Sequence, residues 1–475
     1  MAPISRTVCP LAPGEFCPRI IDYRCFVLFM DKSRFVVFLT SVYALGIFVT
    51  SDRSLRFMSM TLCNFIAVGM GVYLFLKWRG GRVKVLSGIP MAIPLGMAIV
   101  WAGVSLFLSY FKSNTAIPPE AYFYAWATGV NSPGLRGISF LVRLGIAISA
   151  FYFIYRAVSD SSVYSRVLRI FSWGYVLFCT IVLAQIGAYH AFGYSFGQVF
   201  FDPNGQVRVG SYVGEPSVMA AILVSGYFLF VPFFKMPSTW PKLPLPVRWY
   251  TFVAATLGLI YAMSASIIAA IALAYLFTGL KRRHVIILSG FIALSVLFIP
   301  IVVGSLLNNP VVSKIQTELT TVNIRSLSWI IGFEMFRAAP ITGVGIGRTP
   351  FFNDMHMPTY VDIGFDLGES FDYTAVRHTA MNTYIEWLAE TGIIGAGILL
   401  WVLLAGYRSQ KAYSGESTAI VRKTFGMALV TLLIAANSFP GAFYLSHLIF
   451  VAAMYFGGLS AYDLEGRRKN LSTVN

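Results

Sequence analysis

Residues 61–111 read TLCNFIAVGMGVYLFL (61–76), KWRGGRVK (77–84), VLS (85–87) and GIPMAIPLGMAIVWAGVSLFLSYF (88–111). Two apolar runs flank a short patch with four Lys and Arg. A helix crossing about 30 Å of hydrocarbon needs roughly 20 apolar residues, so the stretch reads as two crossings joined by a basic loop. The rest of the chain repeats this pattern. Of 475 residues, 57% are hydrophobic and only 12% charged, half the roughly 25% of a soluble domain, and the mean hydropathy is +0.71. A water-soluble fold, a disordered chain and a disulfide scaffold are excluded. A polytopic membrane protein remains.

The expected fold class is all-α with about twelve crossings. Their spans are 34–51, 56–76, 88–111, 137–155, 168–190, 216–234, 248–263, 265–280, 284–307, 392–407, 424–440 and 443–462. The seventh and eighth are short and meet at Met263-Ser-Ala-Ser266, read as a tight turn near the membrane surface. The organisation is then an inner tail (1–33), helices one to nine (34–307), a large helical outer segment (308–391), helices ten to twelve (392–462) and an inner tail (463–475).

The net charge of +16 suggests nucleic acid in a soluble protein. Here it marks orientation. With both termini inside, the inner side holds 25 Lys and Arg and 7 Asp and Glu, and the outer side 11 and 13. That is the positive-inside asymmetry. No nucleic-acid partner is expected. The first 33 residues lack the apolar core of a cleavable signal. Cys9, Cys17 and Cys25 fall in the inner tail, while Cys63 and Cys179 fall in helices. No structural disulfide is expected, and the tail spacing is poor for zinc.

Three outer segments are long enough to carry chemistry. Segment 112–136 holds Tyr122, Phe123, Tyr124 and Trp126, an interfacial aromatic belt or a sugar-stacking surface. Segment 191–215 holds Phe201-Asp-Pro-Asn-Gly-Gln-Val-Arg208 and Gly214-Glu-Pro216. Segment 308–391 is far longer than a plain connection. It should contain a helix over about 325–338, ended by Pro340, and a second that starts near Thr379 and leads into the tenth crossing.

Arg325 begins the first of these helices, where a cation opposes the helix dipole unless an anion docks there. Gly343-Val-Gly345-Ile-Gly347-Arg348 lets backbone approach a ligand or a neighbouring helix closely. It is neither a dinucleotide fingerprint nor a phosphate-binding loop with Gly-Lys-Ser/Thr. Arg143 lies several residues inside the fourth crossing, facing a cavity or snorkelling outward. Glu215 suits the start of the sixth helix or serves as a base beside Arg208. His378 is a candidate base, otherwise an interfacial polar residue. Asn382 lies one turn later. Asp362, Asp366, Glu369 and Asp372 form an acidic stretch whose spacing fits no cation loop.

Three segments together carry a resemblance. They are Arg208-Val-Gly210 with Gly214-Glu-Pro-Ser217; Arg325-Ser-Leu-Ser-Trp329 through Pro340 to Gly343-Val-Gly-Ile-Gly347; and Asn382-Thr-Tyr-Ile-Glu-Trp-Leu-Ala-Glu-Thr-Gly392-Ile-Ile-Gly395. In this order, with the long segment between helices nine and ten, the chain resembles the O-antigen ligase / O-antigen polymerase family. The resemblance implies a metal-independent glycosyltransferase of the bacterial inner membrane, without a cofactor and working at the periplasmic face. The donor would be a glycan on undecaprenyl diphosphate, and the acceptor a second glycan or lipid A-core. Arg208 and Arg325 would bind the diphosphate, with Arg143, Arg348 and Asn382 as further substrate-binding candidates. Glu215 or His378 would be the catalytic base. Ligases of this family show His-Asn, nine residues, then Gly-x-x-Gly. Here Met381 stands in the His position, which tilts the reading towards a repeat-unit polymerase, a function that would also bring a chain-length regulator as partner. A transporter or flippase is the reading from another class, weakened by the lack of a two-fold hydropathy repeat.

The orientation is directly testable. In a chain whose native cysteines are replaced, Gly80→Cys should react with an impermeant maleimide only after the membrane is opened. Tyr360→Cys should react in intact spheroplasts, and the reverse pattern would refute the assignment.

Overall fold

The computed structural model describes residues 34–48, 62–79, 91–111, 133–193, 198–201, 207–211, 216–236, 240, 243–262, 265–277, 329, 331–351, 382–411, 413, 416–436 and 445–472. The helices are α1 (Arg34–Gly46), α2 (Leu62–Arg79), α3 (Ala92–Ser109), α4 (Pro133–Val158), α5 (Ser161–Phe192), α6 (Pro216–Tyr227), α7 (Leu245–Tyr261) and α8 (Ala265–Phe277). Then come α9 (331–338), α10 (Thr383–Lys411), α11 (Glu416–Val421), α12 (Met427–Ala435) and α13 (Ser446–Ser472). A wide π turn, Arg422–Gly426, joins α11 to α12.

Among the described residues, five helical segments are long and apolar enough to cross a membrane: Ala92–Ser109, Leu135–Val158, Ser161–Phe192, Thr383–Lys411 and Thr418–Ala435. Large apolar side chains also cover the outside. Phe107 is 63% exposed, Phe111 72% and Leu177 62%. Such a surface is costly in water and ordinary against lipid tails, as in a multi-pass membrane protein.

The core is aromatic. Helix α4 packs along α13, α2 and α3, and α5 packs along α1 and α7. At the centre lies α6, buried from Met219 to Tyr227 apart from the gap that Gly226 opens. A helix apolar on all sides belongs in the interior. The Tyr175 ring fills that gap and its hydroxyl donates to the Leu223 carbonyl at 2.6 Å. Phe171 packs on Phe450 with centroids 4.8 Å apart, and Phe48 stacks on both Phe171 and Phe178. Helix α5 begins early because the Asp160 carboxylate accepts from the backbone N–H of Ser162 and Val163. This is an N-cap. Gly193 ends it in the left-handed region. Cys63 and Cys179 are buried and form no disulfide among the described residues, and the Cys63 thiol donates to the Tyr43 carbonyl.

Three features depart from expectation. The architecture is helical but not purely so: Gln198–Phe201 (β1) and Val207–Ser211 (β2) form an antiparallel hairpin that pairs Phe200 with Arg208. The signal was Asn204-Gly205 between β-branched and aromatic residues, a strong hairpin pattern. Helix α6 stops at Tyr227, short of the expected span to 234. Helices α7 and α8 do not lie side by side as a tight turn requires. The first packs on α5 and α6, the second on α12. The ninth expected crossing lies outside the described residues.

A Cβ at Gly226 would sit 2.4 Å from the Tyr175 ring, whereas one at Gly69 meets nothing within 4 Å. Gly226→Ala should therefore lower stability by about 1–3 kcal/mol, read as a fall in Tm in detergent, and Gly69→Ala should not.

Candidate functional site

The described part of segment 308–391 converges on a break in α10. Helix α9 ends before Pro340, whose ring cannot continue a helix. The chain then turns through Gly343, Gly345 and Gly347, at φ of 70°, 98° and 73°. Opposite it, α10 breaks at Gly392, φ 66° and ψ −167°. A break in the i→i−4 ladder strands carbonyls on one side and N–H groups on the other. The turn and α3 satisfy them. Val344 N–H donates to the Ala389 carbonyl at 2.9 Å and Gly345 N–H to the Glu390 carbonyl at 3.0 Å. Trp101 Nε1 donates to the Thr391 carbonyl at 2.8 Å. In return Ile393 N–H donates to the Pro340 carbonyl at 2.8 Å.

The glycines are required by this contact. A Cβ at Gly343 would lie 2.2 Å from the Glu390 backbone, and one at Gly392 2.3 Å from the Ile341 carbonyl. Each glycine is the other strand's clearance. The glycine run therefore serves the second of its two sequence readings, approach to a neighbouring helix.

Side chains complete the junction. The Ser105 hydroxyl lies 2.6 Å from the Thr342 carbonyl and 2.7 Å from that of Glu390, one proton shared between two acceptors. Thr349 donates to Glu390 Oε1 at 2.9 Å, and Gly347 N–H also donates to this carboxylate. Arg348 donates to the Ser109 hydroxyl and lies over the Tyr110 ring at 4.7 Å. At 2% exposure its guanidinium offers no face to an incoming anion in this conformation. It ties the glycine turn to the end of α3.

Charge gathers around this junction. Glu386 and Glu390, four apart on α10, are both buried. Arg136 of α4 lies in the field of both carboxylates and of Arg143. The two arginines lie over one aromatic ring, with Arg136 5.4 Å and Arg143 5.6 Å from the Phe140 ring centre. Gly347 packs against the same ring, where an added Cβ would lie 3.1 Å away. Arg143 is thus half-buried and stacked. Asn382 accepts at Oδ1 from the N–H of Tyr384 and Ile385 at 3.0 and 3.1 Å. It is the N-cap of α10.

The structure thus brings Arg143 and Arg348 to one junction and sets Asn382 at the head of the helix that carries it. Arg208 lies on β2, beside α5, α6 and α7, and is described through its backbone. Glu215, Arg325 and His378, with the acidic stretch Asp362–Asp372, lie outside the described residues. Sequence reasoning missed Arg136, Glu386 and Glu390. Their signal was helical spacing: Arg136, Phe140 and Arg143 share one face, as do Asn382, Glu386 and Glu390.

Because Gly343 and Gly392 clear the same contact, Gly343→Ala and Gly392→Ala should each cost about 1–3 kcal/mol from backbone strain alone. The double variant should cost less than the sum. Thermal unfolding in detergent, with protease sensitivity at 340–350, would measure both; full additivity would count against the shared contact.

Residues 250–402 match the family model described as O-antigen ligase. No curated protein matches the chain. The matched segment runs from α7 into α10 and contains the glycine turn, Arg348, Asn382, both glutamates and the Gly392 break. On that segment the chain is similar to the O-antigen ligase family.

Proposed function

We propose that the chain is a repeat-unit polymerase for a bacterial surface polysaccharide, acting at the periplasmic face of the inner membrane. The donor is a glycan on undecaprenyl diphosphate. The acceptor is the non-reducing end of a second glycan. The acceptor hydroxyl attacks the anomeric carbon, the bond to diphosphate breaks, and undecaprenyl diphosphate leaves with the electron pair. The hydroxyl proton passes to Glu215 or His378. Arg208 and Arg325 stabilise the charge that develops on the leaving diphosphate, a task suited to the guanidinium fork.

The observation that carries the polymerase reading is Met381-Asn382. Asn382 caps α10, while the preceding position, a histidine in the ligases, holds a side chain that cannot take a proton. The description of the matching family favours a second reading, transfer of the finished glycan to lipid A-core. A deletion strain separates them. Loss of a polymerase leaves single repeat units, whereas loss of a ligase leaves bare lipid A-core and long polymer on undecaprenyl diphosphate.

Arg208→Ala and Arg325→Ala should each reduce long-chain glycan by about 10²-fold or more while the protein level persists. Electrophoretic glycan profiles with an immunoblot of the membrane fraction measure both. Normal chain length in both variants would overturn the assignment of these arginines.

A further inference from the structure

A second feature lies at the opposite end of α10. A cavity of about 640 Å³ opens between α3, α4, α10, α12 and α13, within the 300–1,000 Å³ typical of ligand sites. Most of its α10 wall runs from Leu399 to Gln410. At 1.5 Å per residue this is about 17 Å, close to half of a hydrocarbon core about 30 Å thick, or one leaflet. The walls are apolar, with Leu95, Ile148, Leu429 and Phe456 among them. Leu403 and Tyr407 line the cavity and are also exposed, at 36% and 53%. It therefore opens sideways to the bilayer.

One end is polar and basic. Arg422, Lys423 and Gln410 meet there. Gln410 is on α10, and the two basic residues are held by the π turn, in which Met427 N–H bonds back to the Arg422 carbonyl across five residues. Such wide turns recur at functional sites because they re-aim side chains from a helix. Arg422 Nη2 donates to the carbonyls of Gln410 (2.9 Å) and Tyr413, while its buried Nε–H has no acceptor among the described residues. Lys423 is exposed beside it. Arg408 and Lys411 lie at the same end of α10, the end assigned to the inner side by charge.

We infer that this cavity binds one anionic phospholipid of the inner leaflet, its phosphate at Arg422 and Lys423 and an acyl chain along α10 towards Leu399. The charge selects the occupant. A zwitterionic lipid brings an ammonium along with its phosphate and would leave the basic end only partly compensated. A diphosphate-linked glycan donor places its charge at the outer face, at the other end of the helix. The inference is independent of the polymerase reading.

The test uses the full-length protein in non-ionic detergent, titrated with phosphatidylglycerol or phosphatidylethanolamine and read by native mass spectrometry. The protein should retain one phosphatidylglycerol with at least tenfold preference over phosphatidylethanolamine. Lys423→Gln should weaken this binding about fivefold, and the double variant with Arg422→Gln about 25-fold, at roughly a fivefold loss per basic residue. Val402→Trp, which fills the wall, should abolish retention of both lipids. Arg422 also staples Gln410 and Tyr413, so the Lys423→Gln arm, at unchanged Tm, decides if the double variant fails to fold. Equal retention of the two phospholipids, Lys423→Gln binding phosphatidylglycerol like the parent, or retention of a polyprenyl lipid in their place would overturn the inference.

Discussion

The contact between the Gly343 turn and the Gly392 break is the constraint on which the rest of the site depends. Neither half is stable alone. A helix interrupted at Gly392 strands backbone carbonyls in an apolar setting, where each orphan costs about 1–3 kcal/mol. A turn with three glycines at positive φ gives up much conformational entropy when ordered. Brought together, they exchange N–H and carbonyl groups in both directions. The geometry leaves no room for a Cβ on either side. Ser105 and Trp101 then fix α3 to the junction, and Arg348 fixes the end of α3 through Ser109. The later part of the long outer segment is thereby tied at one point to three helices.

That tie explains why buried charge is tolerated there. Glu386 and Glu390 stand one turn apart on a face that packs inward. Two like charges so placed repel unless compensated. Hydrogen bonds to Glu390 from Thr349 and Gly347 and the field of Arg136 offset part of that repulsion and of the cost of burial. Arg136 and Arg143, both near the Phe140 ring, gain cation–π attraction that offsets part of their own desolvation. The cluster reaches into the glycine turn on one side and towards the capped end of α10 on the other.

Much of the fold was legible in the sequence because the membrane makes its demands in composition. A chain with 12% charged residues and 57% hydrophobic residues has few soluble alternatives. The limits of the reading were tertiary. Met263-Ser-Ala-Ser266 was visible as a break, but whether the flanking helices fold back on one another depends on their neighbours, and α8 found α12. Asn204-Gly205 was a local hairpin signal overlooked in a search for helices. Arg348 read as a candidate ligand because its sequence neighbours are glycines; its real neighbours, Ser109 and Tyr110, lie nearly 240 positions away. Asn382 was read by family motif as substrate-binding, although an Asn opening an apolar-periodic run is first of all an N-cap.

One helix connects the charged cluster with the lipid-sized cavity. Trp387 stands between Glu386 and Glu390 in sequence, yet its ring lines the upper wall of the cavity. Its Nε1 donates across the Gly392 break to the Gly395 carbonyl at 2.9 Å. Thr391 reaches back to the Trp387 carbonyl at 2.5 Å. The two halves of α10 are therefore held in register by a side chain that faces the cavity, not by the helical ladder, which is interrupted there. An acyl chain long enough to reach Trp387 would press on a residue that helps to splint the break, and would so bear through packing alone on the first half of α10, which carries Asn382, Glu386 and Glu390.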